Sequence, residues 1–190
     1  DRIIHDHLIY FDLDGYTLMP HIAKEWEVSE DGTIFTFYLR PGMKWSDGVP
    51  FTADDFVFAY EGITLNDNLN PIKPGYAKVD GQLFKVEKLD ETTVRYTFPN
   101  PTYIFIESLG GLAIGGQFKS KWQSPIYAPR HYLRQFLPKY TPLIELEDKI
   151  KSTGDKNWVQ LFKRMASPHE NIELPVVGPW KMVTPITSEN

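Results

Sequence analysis

A chain of 190 residues, 42% hydrophobic and 14% aromatic, can bury one proper core, since domains of ~150 residues bury about 70% of their unfolded surface. Its formal net charge of −5 gives no basic footprint for nucleic acid or an anionic membrane, and the absence of cysteine excludes disulfides, thiolate nucleophiles and cysteine zinc sites. Export stays open, because a core of this size needs no covalent staples; neither a signal peptide nor an apolar run of membrane-spanning length is read in the chain.

In chain order, His5-Asp6-His7 comes first. Alternation on a strand would put both imidazoles on one side, but no third ligand lies nearby in sequence, so the segment reads as a solvated terminus rather than a metal site. Lys24 to Ser29 alternates, with Trp26 and Val28 on one face, and a second strand runs from Ile34 to Arg40. Between them Glu30-Asp31-Gly32 closes a hairpin, Gly32 supplying the positive φ. Phe35, Phe37 and Leu39 share one side of the second strand and Thr36, Tyr38 and Arg40 the other, so one sheet face is built for burial. Pro41-Gly42 ends the strand and Ser46-Asp47-Gly48 turns the chain. Thr52 then stands as an N-cap, with Asp54 and Asp55 in the first helical turn, where carboxylates meet the positive end of the helix dipole. That placement explains both carboxylates without acid/base chemistry. Phe56, Tyr60 and Ile63 recur at i, i+4 and i+7 and face inward.

Residues 66–80 are rich in Asn, Pro and Gly and read as a loop. Leu83 to Phe98 reads as a second hairpin turning at Asp90-Glu91, with Val94, Tyr96 and Phe98 opposite Thr93, Arg95 and Thr97; it is expected to join the first hairpin in one antiparallel sheet. Pro99 and Pro101 break the strand. Residues 102–109 suit either helix or strand, and Thr102 at a cap position favours a short helix. Gly110-Gly111 and Gly115-Gly116 form neither GxGxxG after a strand nor a phosphate loop, so no nucleotide cofactor is expected. Pro129 opens a helix that must end before Pro138, and His131 in its first turn reads as a packed or hydrogen-bonded structural histidine. Leu143 to Thr153 forms another helix, closed by Gly154 with Lys149 and Lys151 in its last turns. A further helix from about Asp155 to Met165 presents Trp158, Leu161, Phe162 and Met165 as a stripe.

Pro20, Ala23-Lys24-Glu25-Trp26-Glu27, Ser29-Glu30-Asp31-Gly32, Phe35-Thr36-Phe37, Leu39-Arg40, Trp45-Ser46-Asp47-Gly48, Pro50-Phe51-Thr52-Ala53-Asp54-Asp55 and Phe58 together resemble the signature block of the family 5 extracellular solute-binding proteins. These are peptide, dipeptide and nickel type receptors of ABC importers. The resemblance continues through Leu83–Leu89, Thr92–Phe98, Tyr127-Ala128-Pro129-Arg130-His131-Tyr132 and Gly178-Pro179-Trp180. It implies an α/β (α+β) subdomain of the periplasmic binding protein type II kind, an antiparallel sheet of hairpins packed by several helices. Residues 1–190 would form a single subdomain of the first lobe, with the second lobe absent, because family members are several hundred residues long.

The function implied is non-enzymatic: a receptor that binds a peptide or similar small solute and hands it to an ABC permease. No metal, cofactor or nucleic acid is implied, and the expected state is a monomer. The expected location is periplasmic or cell-surface, by export, with a lipid anchor as an option in the full-length parent. By family position, the ligand-facing residues are expected to be Tyr76, Gly110, Gly111, Phe118 and Trp122. The alternative is an oligosaccharide receptor or carbohydrate-recognition accessory domain, for which 5 Trp and 10 Tyr would give stacking surfaces. Trp26, Trp45 and Trp158 lie in patterns that predict burial, leaving Trp122 and Trp180 for stacking, and this favours the peptide-type receptor.

Overall fold

Alternation in the first forty residues becomes two antiparallel pairs. The computed structural model describes residues 6–110, 125–178, 180, 181, 183 and 184. Strand β1 (Ile9–Phe11) pairs with β2 (Leu18–Pro20), and β3 (Ala23–Val28) pairs with β4 (Ile34–Leu39). Later in the chain β7 (Lys85–Asp90) and β8 (Thr93–Thr97) add to β4, giving a four-stranded sheet in the order β3-β4-β8-β7. Phe37 lies opposite both Trp26 and Val94, and Phe35 opposite both Val28 and Tyr96. The expected face is therefore the buried one: Phe35, Phe37, Leu39, Val94, Tyr96 and Phe98 are all at most 4% exposed. Trp26 and Val28 do share that face, but β3 is an edge strand, so Trp26 is only half-buried and Val28 is exposed. Both edge strands carry a register shift, Ala23/Glu25 in β3 and Lys88/Asp90 in β7, of the kind that discourages edge-to-edge pairing.

Gly32 fills two needs at once. Its φ is +65°, and a Cβ there would sit 2.5 Å from Cζ of Tyr103, whose hydroxyl donates to the Glu30 carbonyl. The same turn accepts the Thr102 N–H at the Gly32 carbonyl (2.9 Å), so the first hairpin seats the start of helix α2 (Ile104–Gly110). Residues 102–109 thus end in the helical form that Thr102 favoured, although the Thr102 hydroxyl bonds back to the Asn100 carbonyl.

The helix after Thr52 departs from a plain α-helix. Its α-helical part, α1, covers Ala53–Val57, and Phe58–Thr64 continues as π-helix. The wider turn divides the apolar residues between two clusters. Phe56 and Tyr60 enter the core under the sheet, whereas Phe58, Ala59 and Ile63 enter a second core with Leu133, Leu137, Leu161 and Phe162. Tyr60 stacks on Phe84 (4.6 Å between centroids) and donates its hydroxyl to the Phe84 carbonyl.

The stretch expected as loop up to residue 80 holds a small hairpin instead, β5 (Lys78–Val79) with β6 (Gln82–Leu83). Asp80 (φ 51°) and Gly81 (φ 78°) form its two-residue turn, a conformation that an Asp-Gly pair favours. Leu83 consequently belongs to β6, and the second large hairpin begins at Lys85. Helix α3 (Arg130–Leu133) passes into a 3-10 turn at Arg134–Phe136 before Pro138. Helix α4 (Leu143–Thr153) closes at Gly154 with φ 72°, as read. Helix α5 spans Trp158–Met165 and starts three residues later than expected. Asp155 is held by Arg164 (2.7 Å) and Thr153 (2.6 Å), and Asn157 caps the helix by accepting the Gln160 N–H.

Two substitutions test this packing. Phe56 is fully buried between Phe51 and Tyr127, so Phe56→Ala should cost about 3–5 kcal/mol in denaturant unfolding. A loss under about 1 kcal/mol would place that helix face elsewhere. Gly32→Ala should cost about 1–3 kcal/mol through its left-handed backbone and the displaced Tyr103 ring. Removing the ring by Tyr103→Ala in the same chain should recover part of that loss.

Candidate functional site

Asp55 is a buried carboxylate that joins separate parts of the chain. It is 4% exposed, and its carboxylate accepts the Trp45 indole N–H (3.0 Å), the Thr52 N–H (3.0 Å) and the Arg130 N–H (3.1 Å). Its backbone carbonyl accepts the Ala128 N–H at 3.1 Å. One side chain thus ties the 45–48 turn, the start of α1 and the corner that leads into α3. Burial pushes its pKa up to about 6, against the opposing pull of the three N–H donors and His131. A folded-state value above the unfolded one means that the stabilising protonated form is complete below about 3.8 and is lost as pH rises through about 6.

The same joint carries a second link, from His131 Nε2 to Asp47 Oδ2 at 2.8 Å. Burial works against ionisation of Asp47, but bonds from the His131 ring and the Val49 N–H outweigh it and hold the carboxyl below its usual range. His131 is thus hydrogen-bonded as its helix-start position suggested. Around the joint Trp45, Phe51, Phe56 and Tyr127 pack ring on ring at centroid distances of 5.3–6.0 Å. Asp54, beside Asp55, pairs with Lys88 at 2.8 Å and lies 4.0 Å from Arg130. Helix-start placement and these bonds account for both carboxylates.

The N-terminal histidines need correction. His5 lies outside the described residues, but His7 is only 8% exposed, not part of a solvated terminus. Backbone pairing explains the burial: the His7 carbonyl accepts the Ile22 N–H, the Leu8 carbonyl accepts the Ala23 N–H, and the Asp6 carbonyl accepts the Tyr127 hydroxyl. The His21 ring bonds the His7 carbonyl (3.1 Å) and lies 3.9 Å from Asp6, with Tyr10 packed against both imidazoles. Among the described residues no group of three or more His, Asp or Glu is placed to hold a metal ion.

Of the residues expected to face ligand, Tyr76 and Gly110 lie among the described residues, each on its own support. Tyr76 lies in a 3-10 turn, Gly75–Ala77, between the small β5-β6 hairpin and a loop pinned by Asn70 to the Ile63 carbonyl and by Lys73 to Asp67. Ala77, next to it, is fully buried. Gly110 ends α2 against the β1-β2 pair, where a Cβ would come 2.7 Å from Leu18 and 3.4 Å from Phe11. Gly111, Phe118 and Trp122 lie outside the described residues. Of the tryptophans, Trp45 is buried, Trp26 and Trp158 pack half-buried against the two cores, Trp180 is 63% exposed, and Trp122 is not described. What the sequence reading missed is Asp55 as a junction. Its signals were a carboxylate three residues after the cap and an upstream tryptophan needing a partner for its indole N–H; the reach to Arg130 has no local signal.

A sequence model for the middle part of the family 5 bacterial extracellular solute-binding proteins matches residues 17–184. A solved oligopeptide-binding protein, OppA, superposes with a TM-score of 0.83 at 39% identity, over 96% of this chain and 27% of that one. MelB of Agrobacterium fabrum C58, solved in complex with stachyose, superposes with a TM-score of 0.66 at 26% identity, over 97% of this chain and 25% of its own. The periplasmic alpha-galactoside-binding protein of Rhizobium meliloti is 30% identical over 176 residues, which is 91% of this chain and 21% of the relative. The chain therefore spans about a fifth to a quarter of the length of the proteins it matches. The expected mixture of helices with antiparallel sheets agrees with the fold of these receptors, a family of solute-binding proteins rather than enzymes. The chain belongs to the family 5 bacterial extracellular solute-binding proteins.

Proposed function

We propose that this chain is part of the solute-binding receptor of an ABC importer, that it takes no part in catalysis, and that the parent's solute is a peptide. The observation that carries the reading is the likeness to the oligopeptide-binding protein, 39% identical over 96% of the chain. In this reading residues 1–190 form one subdomain of the first lobe, and the parent is an exported monomer that delivers solute to a permease. Tyr76 and Gly110 border the solute, together with Gly111, Phe118 and Trp122.

A second reading, an oligosaccharide as solute, is supported by the alpha-galactoside-binding and stachyose-bound relatives and by the exposed Trp180 ring. Peptide and sugar receptors use different chemistry. A peptide offers backbone N–H and C=O groups at strand spacing, whereas a sugar offers hydroxyls and a flat apolar face for stacking.

The parent decides between them. Calorimetric titration of the full-length receptor with a tri- or tetrapeptide mixture and with stachyose should give binding to peptides only. Binding to stachyose alone would make the second reading the right one, and binding to neither would overturn both. Alanine at Tyr76 and Trp122 together should then weaken peptide affinity at least about tenfold, roughly 1.4 kcal/mol, with little change in melting temperature. Unchanged affinity would remove these two residues from the solute surface.

A further inference from the structure

Four Asp-Gly steps occur in the chain: Asp14-Gly15, Asp31-Gly32, Asp47-Gly48 and Asp80-Gly81. Such a step can close on itself, because a glycine nitrogen, with no side chain in its way, reaches the Cγ of the preceding aspartate and forms a five-membered succinimide. Closure needs a glycine N–H without an acceptor and a carboxyl free to turn and take a proton. Three of the four steps withhold both. The Gly15, Gly32 and Gly48 N–H groups each donate at 2.9 Å, to the Asp12, Ser29 and Trp45 carbonyls. Asp14 accepts the Tyr16 and Thr17 N–H groups and the Thr17 hydroxyl, and Asp31 accepts the Ser29 and Thr33 hydroxyls and the Thr33 N–H. Those bonds, from the Thr17 hydroxyl foremost at Asp14 and the Ser29 hydroxyl foremost at Asp31, hold both carboxyls below the usual carboxylate range. Asp47 is bonded by the Val49 N–H and the His131 ring.

Asp80-Gly81 is built differently. Among the described residues the Gly81 N–H has no acceptor, and the Asp80 carboxylate accepts one bond, from Asn100 Nδ2 at 2.7 Å. Both residues are exposed, and a Cβ on Gly81 would meet nothing within 4 Å, so the approach to its nitrogen is open. The turn closes a ladder of two pairs, Lys78 with Leu83 and Val79 with Gln82, which is too short to resist local opening. Asp80 also holds φ 51°, the one positive φ outside glycine among the described residues, and an L-residue leaves that backbone readily. We propose that Asp80-Gly81 is a self-modification site, at which the folded chain converts aspartate to isoaspartate through a succinimide. In closure the bond from the Gly81 nitrogen to Asp80 Cγ forms, and the Gly81 amide proton leaves with the carboxyl hydroxyl as water. In opening, one water adds back. At the Asp80 α-carbonyl it breaks the original peptide C–N bond and leaves the chain linked through Cγ, as isoaspartate; at Cγ it restores aspartate. Water is the only co-reactant. Isoaspartate makes the main chain one atom longer at the turn, so Val79 and Gln82 lose their register and the small hairpin opens. The reaction needs no solute and is independent of the function proposed above.

Peptide mapping by mass spectrometry tests it on this chain. Each Asp-Gly step falls in its own tryptic peptide, that of Asp80 being Val79–Lys85, so the four are read side by side. The chain is held folded in mildly acidic heavy-oxygen water for several weeks and then digested in ordinary water. Succinimide opening marks the residue with heavy oxygen, and electron-driven fragmentation separates isoaspartate from aspartate. Isoaspartate at Asp80 should exceed that at Asp14, Asp31 or Asp47 at least about tenfold, because those steps must first break several hydrogen bonds. In denaturant, where each aspartate has the same following glycine and no fold, the four should agree within about threefold. Asp80→Glu, whose longer side chain cannot close the five-membered ring, should leave that peptide unmarked. Conversion at Asp80 no faster than at the other three in the folded chain, an equal lead for Asp80 in denaturant, or a mark that persists in Asp80→Glu would each overturn the site.

Discussion

One buried carboxylate organises this fold. Asp55 accepts N–H groups from Trp45 and Thr52, which precede it in the same stretch, and from Arg130, 75 residues further along the chain. Ionising it in the interior is unfavourable: a pKa raised from 3.8 to about 6 corresponds to a cost of about 3 kcal/mol at neutral pH. Three bonds to a charged acceptor, each contributing about 1.5–3 kcal/mol, offset much of the desolvation. The shift to about 6 is what remains after those bonds, so Asp55 serves arrangement more than raw stability. An apolar residue in its place would leave the Trp45, Thr52 and Arg130 donors without this acceptor and would weaken the tie of the corner at 127–131.

Packing follows from that arrangement. With Trp45 held by its indole N–H, Phe51, Phe56 and Tyr127 close around it, and α1 lies on the sheet through the faces of Phe56 and Tyr60. The π-helical continuation turns Phe58, Ala59 and Ile63 the other way, so a single helical segment forms a wall of both cores. Helix α5 and the 3-10 turn at 134–136 rest on the second core and are joined to the first through this wall and the Asp55 corner.

Much of this was legible in the residues themselves. The alternation of Phe35, Phe37 and Leu39 gave the buried sheet face, Gly154 marked the end of α4, and Thr52 with its following carboxylates marked the start of α1. These signals are local and act over four residues or fewer, the range in which side-chain periodicity and capping work. What was not legible depended on distance. The burial of His7 arises from pairing with Ile22 and from the Tyr127 hydroxyl on the Asp6 carbonyl, and the late start of α5 arises from Arg164 reaching back to Asp155. The β5-β6 hairpin was missed for a different reason: two-residue strands carry too short an alternation to register, although the Asp80-Gly81 turn was in plain view. The residues expected to face ligand were placed only through family likeness, and of these Tyr76 and Gly110 sit on separate supports.

Such a joint fixes the 45–48 turn, the start of α1 and the 127–131 corner in a chain that has no cysteine to form a disulfide. The most direct measurement of the fastening is a double-mutant cycle between Trp45→Phe and Asp55→Asn, scored by denaturant unfolding at neutral pH. Fastening through the indole N–H predicts a coupling of at least about 1 kcal/mol between the two substitutions. Additive losses, with a coupling indistinguishable from zero, would contradict it.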